Sequence, residues 1–157
     1  VHYNYVDQAE FDRLIDQNIF LEHASVFGKQ YGTSREWVEG RLKEGFDILL
    51  EIDWQGAANV RHHFSENSVS IFILPPNLTI LEERLRARKQ DSEKVIARRM
   101  ALATQEISHF KEYDYVIIND DFDRALREMK AVVTAERLRC RAQLANNQEI
   151  LRNLLAI

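Results

Sequence analysis

Cysteine, proline and glycine are all scarce in this chain. Cys140 is the only cysteine among 157 residues. That excludes an intrachain disulfide, gives no sign of a thiolate metal cluster, and predicts a buried or inert thiol. The two prolines are adjacent, Pro75-Pro76, and punctuate one place only. None of the five glycines stands in a phosphate-cradling loop, so that grip on a nucleotide is not written in these residues. No apolar run approaches the roughly 20 residues of a membrane span, and no signal peptide is visible. A cytoplasmic protein with no membrane partner is expected. The net charge of −4 argues against binding nucleic-acid polymers. His2, His23, His62, His63 and His109 lack ligand spacing with carboxylates or thiols, and are read as structural or exposed. Val1 is not a start methionine, so a truncated or processed product is expected.

What is present suits one α/β domain. With 45% hydrophobic residues the chain can build a sizeable core. Phe46 to Asp53 reads as a buried strand, its apolar Ile48 to Ile52 running into Glu51 and Asp53, with Gly56 opening a helix. Carboxylates at the carboxyl end of a buried strand sit where open α/β sheets bind ligands. Side chains two apart on a strand share a face, which would bring Glu51 and Asp53 together. Between Glu82 and Arg99, seven basic residues face four acidic ones, a local +3 that suits phosphate.

The remaining elements follow from periodicity and caps. His2 to Val6 reads as a short strand, and Asp7 caps a helix to about Asn18. Ile19 to Phe27 is β-like, Gly28 to Gly32 a turn, and Thr33-Ser34-Arg35-Glu36 a capping box for a helix ending at Gly45. Ser68 to Leu74 is a strand. Pro75-Pro76-Asn77 starts a helix with Leu78, Leu81 and Leu85 inward. Lys89 to Ser92 is a polar break. Ile96, Met100, Ala103, Ile107 and Phe110 then mark one helical face from Glu93 to Glu112. Tyr115 to Ile118 is a buried strand, and Asn119-Asp120-Asp121 caps a helix with Leu126, Met129 and Val133. The charged tail carries a weak stripe of Leu144, Leu151, Leu154 and Leu155, which leaves monomer and homodimer both open. Strands alternating with helices predict a parallel sheet.

From His2-Tyr3-Asn4-Tyr5-Val6 to about Leu138 the chain resembles guanylate kinase of the bacterial type, a nucleoside monophosphate kinase. The resemblance rests on six pieces in order: Phe20-Leu21-Glu22-His23-Ala24, Tyr31-Gly32-Thr33-Ser34, Leu50-Glu51-Ile52-Asp53-Trp54-Gln55-Gly56, Ile71-Phe72-Ile73-Leu74-Pro75-Pro76, Arg84 to Arg88, and Val116-Ile117-Ile118-Asn119-Asp120-Asp121. It implies a P-loop NTPase-like parallel sheet flanked by helices. A small α+β GMP-binding insertion would occupy 1–45, the core 46–83 and 100–157, and a helical lid 84–99. The family's first strand, its Gly-rich loop and two arginines for the acceptor phosphate have no counterpart here. The chain as it stands is therefore expected to be inactive.

The resemblance also implies roles. Glu22 would accept from the guanine ring N–H and exocyclic amine, and Thr33 would donate to the guanine carbonyl. The hydroxyls of Tyr3 and Tyr31 would bind the acceptor phosphate. Glu51 would contact the guanine nucleotide, and Asp53 would hold Mg²⁺ through water, which suits an ion that keeps several waters. Arg84, Arg88 and Arg99 would clamp the donor phosphates, and Asn119 would lie near the ATP adenine. The activity implied is Mg-dependent phosphoryl transfer from ATP to GMP, giving ADP and GDP in purine nucleotide metabolism. A plain alternative exists for each residue: cap, core aromatic or solvated charge. The alternative for the whole is a non-catalytic guanylate-kinase-like module that binds phosphopeptides. Donor-clamp arginines argue against it.

Overall fold

Helix caps set most boundaries in this structure, a computed structural model that describes residues 4–26 and 29–155. Asp7 accepts from the Glu10 N–H and begins α1 (Gln8–Asp16). Ser34 does the same for α2 (Arg35–Lys43) and Asp53 for α3 (Trp54–His63). Each such cap satisfies an otherwise orphan donor and is worth about 1 kcal/mol. Helix α2 closes on Gly45, whose φ is +86°. The Gly45 and Phe46 N–H groups return to the Leu42 and Arg41 carbonyls, the double closure that favours glycine there.

The described chain falls into two units, Val1–Ser68 and Val69–Ile157. In the first, β1 (Phe20–Val26) pairs antiparallel with β2 (Lys29–Ser34). Glu22 stands opposite Thr33, His23 opposite Gly32 and Ala24 opposite Tyr31, with a register irregularity between Phe20 and Glu22. Phe11, Leu21, Val38 and Ala57 form the buried core, and the Phe11 and Phe20 rings meet at 4.8 Å.

Three expectations for this unit need correction. Residues 4–6 form no strand, and Val1, His2 and Tyr3 lie outside the described residues. Lys29 to Gly32 is strand and not the expected turn, and residues 27 and 28 also lie outside the described residues. The expected strand at Phe46–Asp53 has no ladder. Within it Ile48, Leu50 and Ile52 are half-buried and Leu49 is 84% exposed. Alternation is present, but a strand is made by hydrogen bonds to a neighbour. No described strand pairs with it.

The second unit has the predicted parallel pairing. β3 (Ile71–Leu74) lies in register with β4 (Tyr115–Ile118), from Ile71 opposite Tyr115 to Leu74 opposite Ile118. α4 (Leu78–Ala87, capped by Asn77) and α5 (Glu93–Ser108) form the crossover. At the head of the pair, the Asp114 carboxylate accepts from both the Ser70 N–H, at 2.8 Å, and the Ser70 hydroxyl, at 2.7 Å. α6 (Phe122–Arg137, capped by Asp121), α7 (Cys140–Asn146) and α8 (Gln148–Leu155) follow. Leu85, Ile96, Ala103, Ile117 and Ala125 are buried.

Here too the expected burial is too generous. In β4 only Ile117 is buried, while Val116 and Ile118, two apart and so on the opposite face, are exposed. Leu78 and Val133 are exposed. The last turn expected of α5 is a 3₁₀ turn, His109–Glu112. Cys140 is exposed, not buried. Among the described residues no helix is long and apolar enough to cross a membrane.

Candidate functional site

Glu22 is the buried acidic side chain around which the first unit is arranged. It sits in a strand whose neighbours Leu21 and Phe20 pack inward, and only 4% of it is exposed. Across the ladder the Thr33 hydroxyl donates to Glu22 Oε1 at 2.5 Å. Burial pushes the Glu22 carboxyl above its ordinary value. The Thr33 hydrogen bond pulls it back, the Asp53 charge pushes it up again, and His23 draws it down. A buried carboxylate held by one hydroxyl keeps unused acceptor capacity, since its two oxygens offer about four lone-pair directions. Such a group suits a ligand bearing two adjacent donors.

Helix α3 supplies the other wall. Its cap, Asp53, accepts from the Gly56 N–H at 2.8 Å through Oδ1 and is half-buried. Glu51 is exposed. The two carboxylates therefore sit in different settings rather than on one face of a strand. Among the described residues the cap bond engages Oδ1, which would leave Asp53 Oδ2 for a water of a hydrated cation. Among the described residues no three His, Cys, Asp or Glu side chains gather as direct metal ligands. What is present fits an ion held through water and not one caged by protein. Tyr31 lies in β2, 41% exposed. Thr33, expected in the capping box, instead belongs to Glu22, and Ser34 caps α2 by accepting from the Trp37 N–H.

The expected lid residues belong to the second unit. Arg84 is half-buried on α4 and donates from Nη1 to the Asn119 carbonyl at 2.7 Å and from Nη2 to the Asp120 carbonyl at 3.4 Å. Arg88 is the exposed C-cap of the same helix. Arg99 on α5 pairs with Asp91 at 3.0 Å. Arg86 is exposed and tied to Glu82 and Glu93, the pairing expected of a solvated helix charge. Asn119 follows β4, and its N–H donates to the Leu74 carbonyl at 2.8 Å. The second unit thus brings Arg84 to Asn119. Two residues escape sequence reasoning. Asp91 reads only as part of a polar break, since nothing in its spacing points to Arg99. Gly56 reads only as a helix opener, although a glycine in a first helical turn signals a close neighbour.

Comparison with known proteins gives these placements a frame. A guanylate kinase family model matches residues 1–136. Guanylate kinase of Photobacterium profundum is 54% identical over 99% of this chain and 74% of that protein. Guanylate kinase of Escherichia coli (strain K12) is 52% identical over 99% and 74%. The crystal structure of guanylate kinase from Anaplasma phagocytophilum superimposes with a TM-score of 0.77 at 37% identity, covering 99% of this chain and 75% of that one. A match over most of the chain, at more than half identity and with the same fold, places this chain in the guanylate kinase family.

Proposed function

We propose that the protein transfers the terminal phosphoryl group of ATP to GMP, giving ADP and GDP, as a cytoplasmic enzyme of purine nucleotide metabolism. The observation that carries this is Glu22: a carboxylate withdrawn from water, paired among the described residues with the Thr33 hydroxyl alone, with acceptor directions to spare. Guanine offers two adjacent donors, the ring N1–H and the exocyclic amine. Adenine has an acceptor at that ring nitrogen and would leave the carboxylate unpaired. Sites built on a buried polar group reject the base that cannot satisfy it. The Thr33 proton is committed to Glu22, so Thr33 orients the carboxylate. It can donate to the guanine carbonyl only by releasing Glu22.

The other roles follow the same division. Tyr3 and Tyr31 present phenol hydroxyls, single directed donors, to the acceptor phosphate. Glu51 contacts the guanine nucleotide from the exposed segment before α3. Asp53 would hold Mg²⁺ through a water. The ion, when bound with ATP, neutralises charge that develops on the donor phosphates. Arg84, Arg88 and Arg99 serve the same phosphates with guanidinium forks, which suit phosphate oxygens better than point charges. Asn119 serves the adenine end. Residues 1–45 make the GMP-binding part, 84–99 a lid, and 46–83 with 100–157 a P-loop NTPase-like core. The relatives are named as kinases, so phosphopeptide binding is not favoured.

The test is Glu22→Gln, read by calorimetric titration. No phosphate-cradling glycine loop stands in these 157 residues, so binding rather than turnover is the readout. The amide cannot accept twice, so GMP affinity should fall about 10- to 100-fold, the worth of a charged hydrogen bond. ATP affinity should not change. Unaltered GMP affinity would remove Glu22 from the site and this reading with it.

A further inference from the structure

We infer that Gly56 is a positioning residue for guanine selectivity: its missing side chain is the space that the Glu22 carboxylate occupies. A Cβ built on Gly56 would lie 2.9 Å from Glu22 Oε2, 3.2 Å from Ile52 Cβ and 3.4 Å from Asp53 Oδ1. The first distance is closer than a methyl group tolerates. Gly56 is buried and lies in the first turn of α3, and it is not among the residues with positive φ. Its backbone conformation therefore does not require glycine, and as a helix residue glycine is a poor choice beside alanine. Space is the remaining reason for it.

Which atom would yield decides what the substitution does. Gly56 is fixed by its N–H bond to the Asp53 cap and by burial. Ile52 presents its Cβ, next to the backbone, and cannot swing away. The Glu22 carboxylate is the far end of a side chain. A methyl group at 56 therefore moves Glu22 Oε2, the oxygen not held by Thr33. That oxygen is the one free to meet the second guanine donor. Gly56 would then act on base choice through Glu22 without touching the base.

This inference rests on the proposed role of Glu22, and its test separates the two. Gly56→Ala, Gly40→Ala and Glu22→Gln are titrated with GMP and with inosine monophosphate, which lacks the exocyclic amine. A Cβ at Gly40 meets nothing within 4 Å, so that variant makes the same change in a helix without the crowding. Gly56→Ala should weaken GMP roughly tenfold, the worth of one displaced hydrogen bond to a charged group, and weaken inosine monophosphate much less, collapsing the preference between them. Gly40→Ala should keep wild-type affinities. A merely structural role would shift the melting temperature of Gly56→Ala and leave the preference intact, which would overturn the inference. Should Gly56→Ala not fold, adding Glu22→Asp withdraws the carboxylate by one methylene and should restore folding. Failure to do so would place the conflict at Ile52 and also overturn it. If Glu22→Gln itself leaves GMP binding unchanged, the underlying reading fails instead.

Discussion

At Glu22, stability and function are set against each other. Its carboxyl is raised above the ordinary 4.5, chiefly by burial. A group whose folded pKa is raised holds its proton more tightly folded than unfolded. Its contribution to stability is therefore full below the unfolded value and is lost as pH rises through the folded value. At neutral pH the ionised Glu22 is a cost to the fold. Glu22→Gln should accordingly melt higher than the parent at about pH 7, with the gap closing toward about pH 4. GMP affinity of the parent should run the other way and fall on acidification, because the protonated carboxyl has lost an acceptor. Thermal melts and titrations across that range read both. A variant that melts lower at neutral pH would mean that the carboxylate holds the fold together and is not kept for a ligand. At this scale the sequence is a partial guide. Glu22 between apolar neighbours and Thr33 eleven positions later can be picked out only through the family resemblance. Their mutual hydrogen bond depends on strand register, which shifts between Phe20 and Glu22, and no local pattern displays it.

Between elements, Arg84 is the informative contact. It joins α4 to the segment after β4 through two backbone carbonyls. Hydrogen bonds from a charged donor are worth about 1.5–3 kcal/mol when partly buried. Arg84→Ala should therefore destabilise the fold by about 1–2 kcal/mol in denaturant melts, a discounted share of that range because the site is half-exposed. Arg88→Ala, at an exposed C-cap, should melt like the parent within about 0.5 kcal/mol. Equal losses in the two variants would show that the Asn119 and Asp120 carbonyls are satisfied without Arg84. Helix faces and caps are the most legible elements. Ile96, Met100, Ala103, Ile107 and Phe110 are all buried or half-buried as their spacing requires, and Asp7, Asn77 and Asp121 cap their helices. Periodicity and capping are properties of one segment. Strands are not: Phe46 to Asp53 has the alternation and lacks a partner, and Val116 and Ile118 have the apolarity and lack a cover.

Across the whole molecule, the two units carry different chemistry, and this division makes ligand binding a local probe. The first holds Glu22, Thr33, Asp53 and Gly56, and the second Arg84, Arg88, Arg99 and Asn119. A ligand that binds only the folded state adds about 2.7 kcal/mol of stability at a hundredfold excess over its dissociation constant. That added free energy slows hydrogen exchange wherever opening requires release of the ligand. GMP should therefore protect amides of β1, β2 and the first turns of α3, where the carboxylate, its hydroxyl partner and the Asp53 cap reside. AMP at the same concentration should leave those amides unprotected, because its ring nitrogen cannot donate to Glu22. In Glu22→Gln, with its 10- to 100-fold weaker binding, the added stability at the same GMP concentration should fall to about 0.4–1.4 kcal/mol. Protection by GMP that spares the hairpin, or equal protection by AMP, would mean that the buried carboxylate does not read the base. The nucleotide would then be held by its phosphate alone.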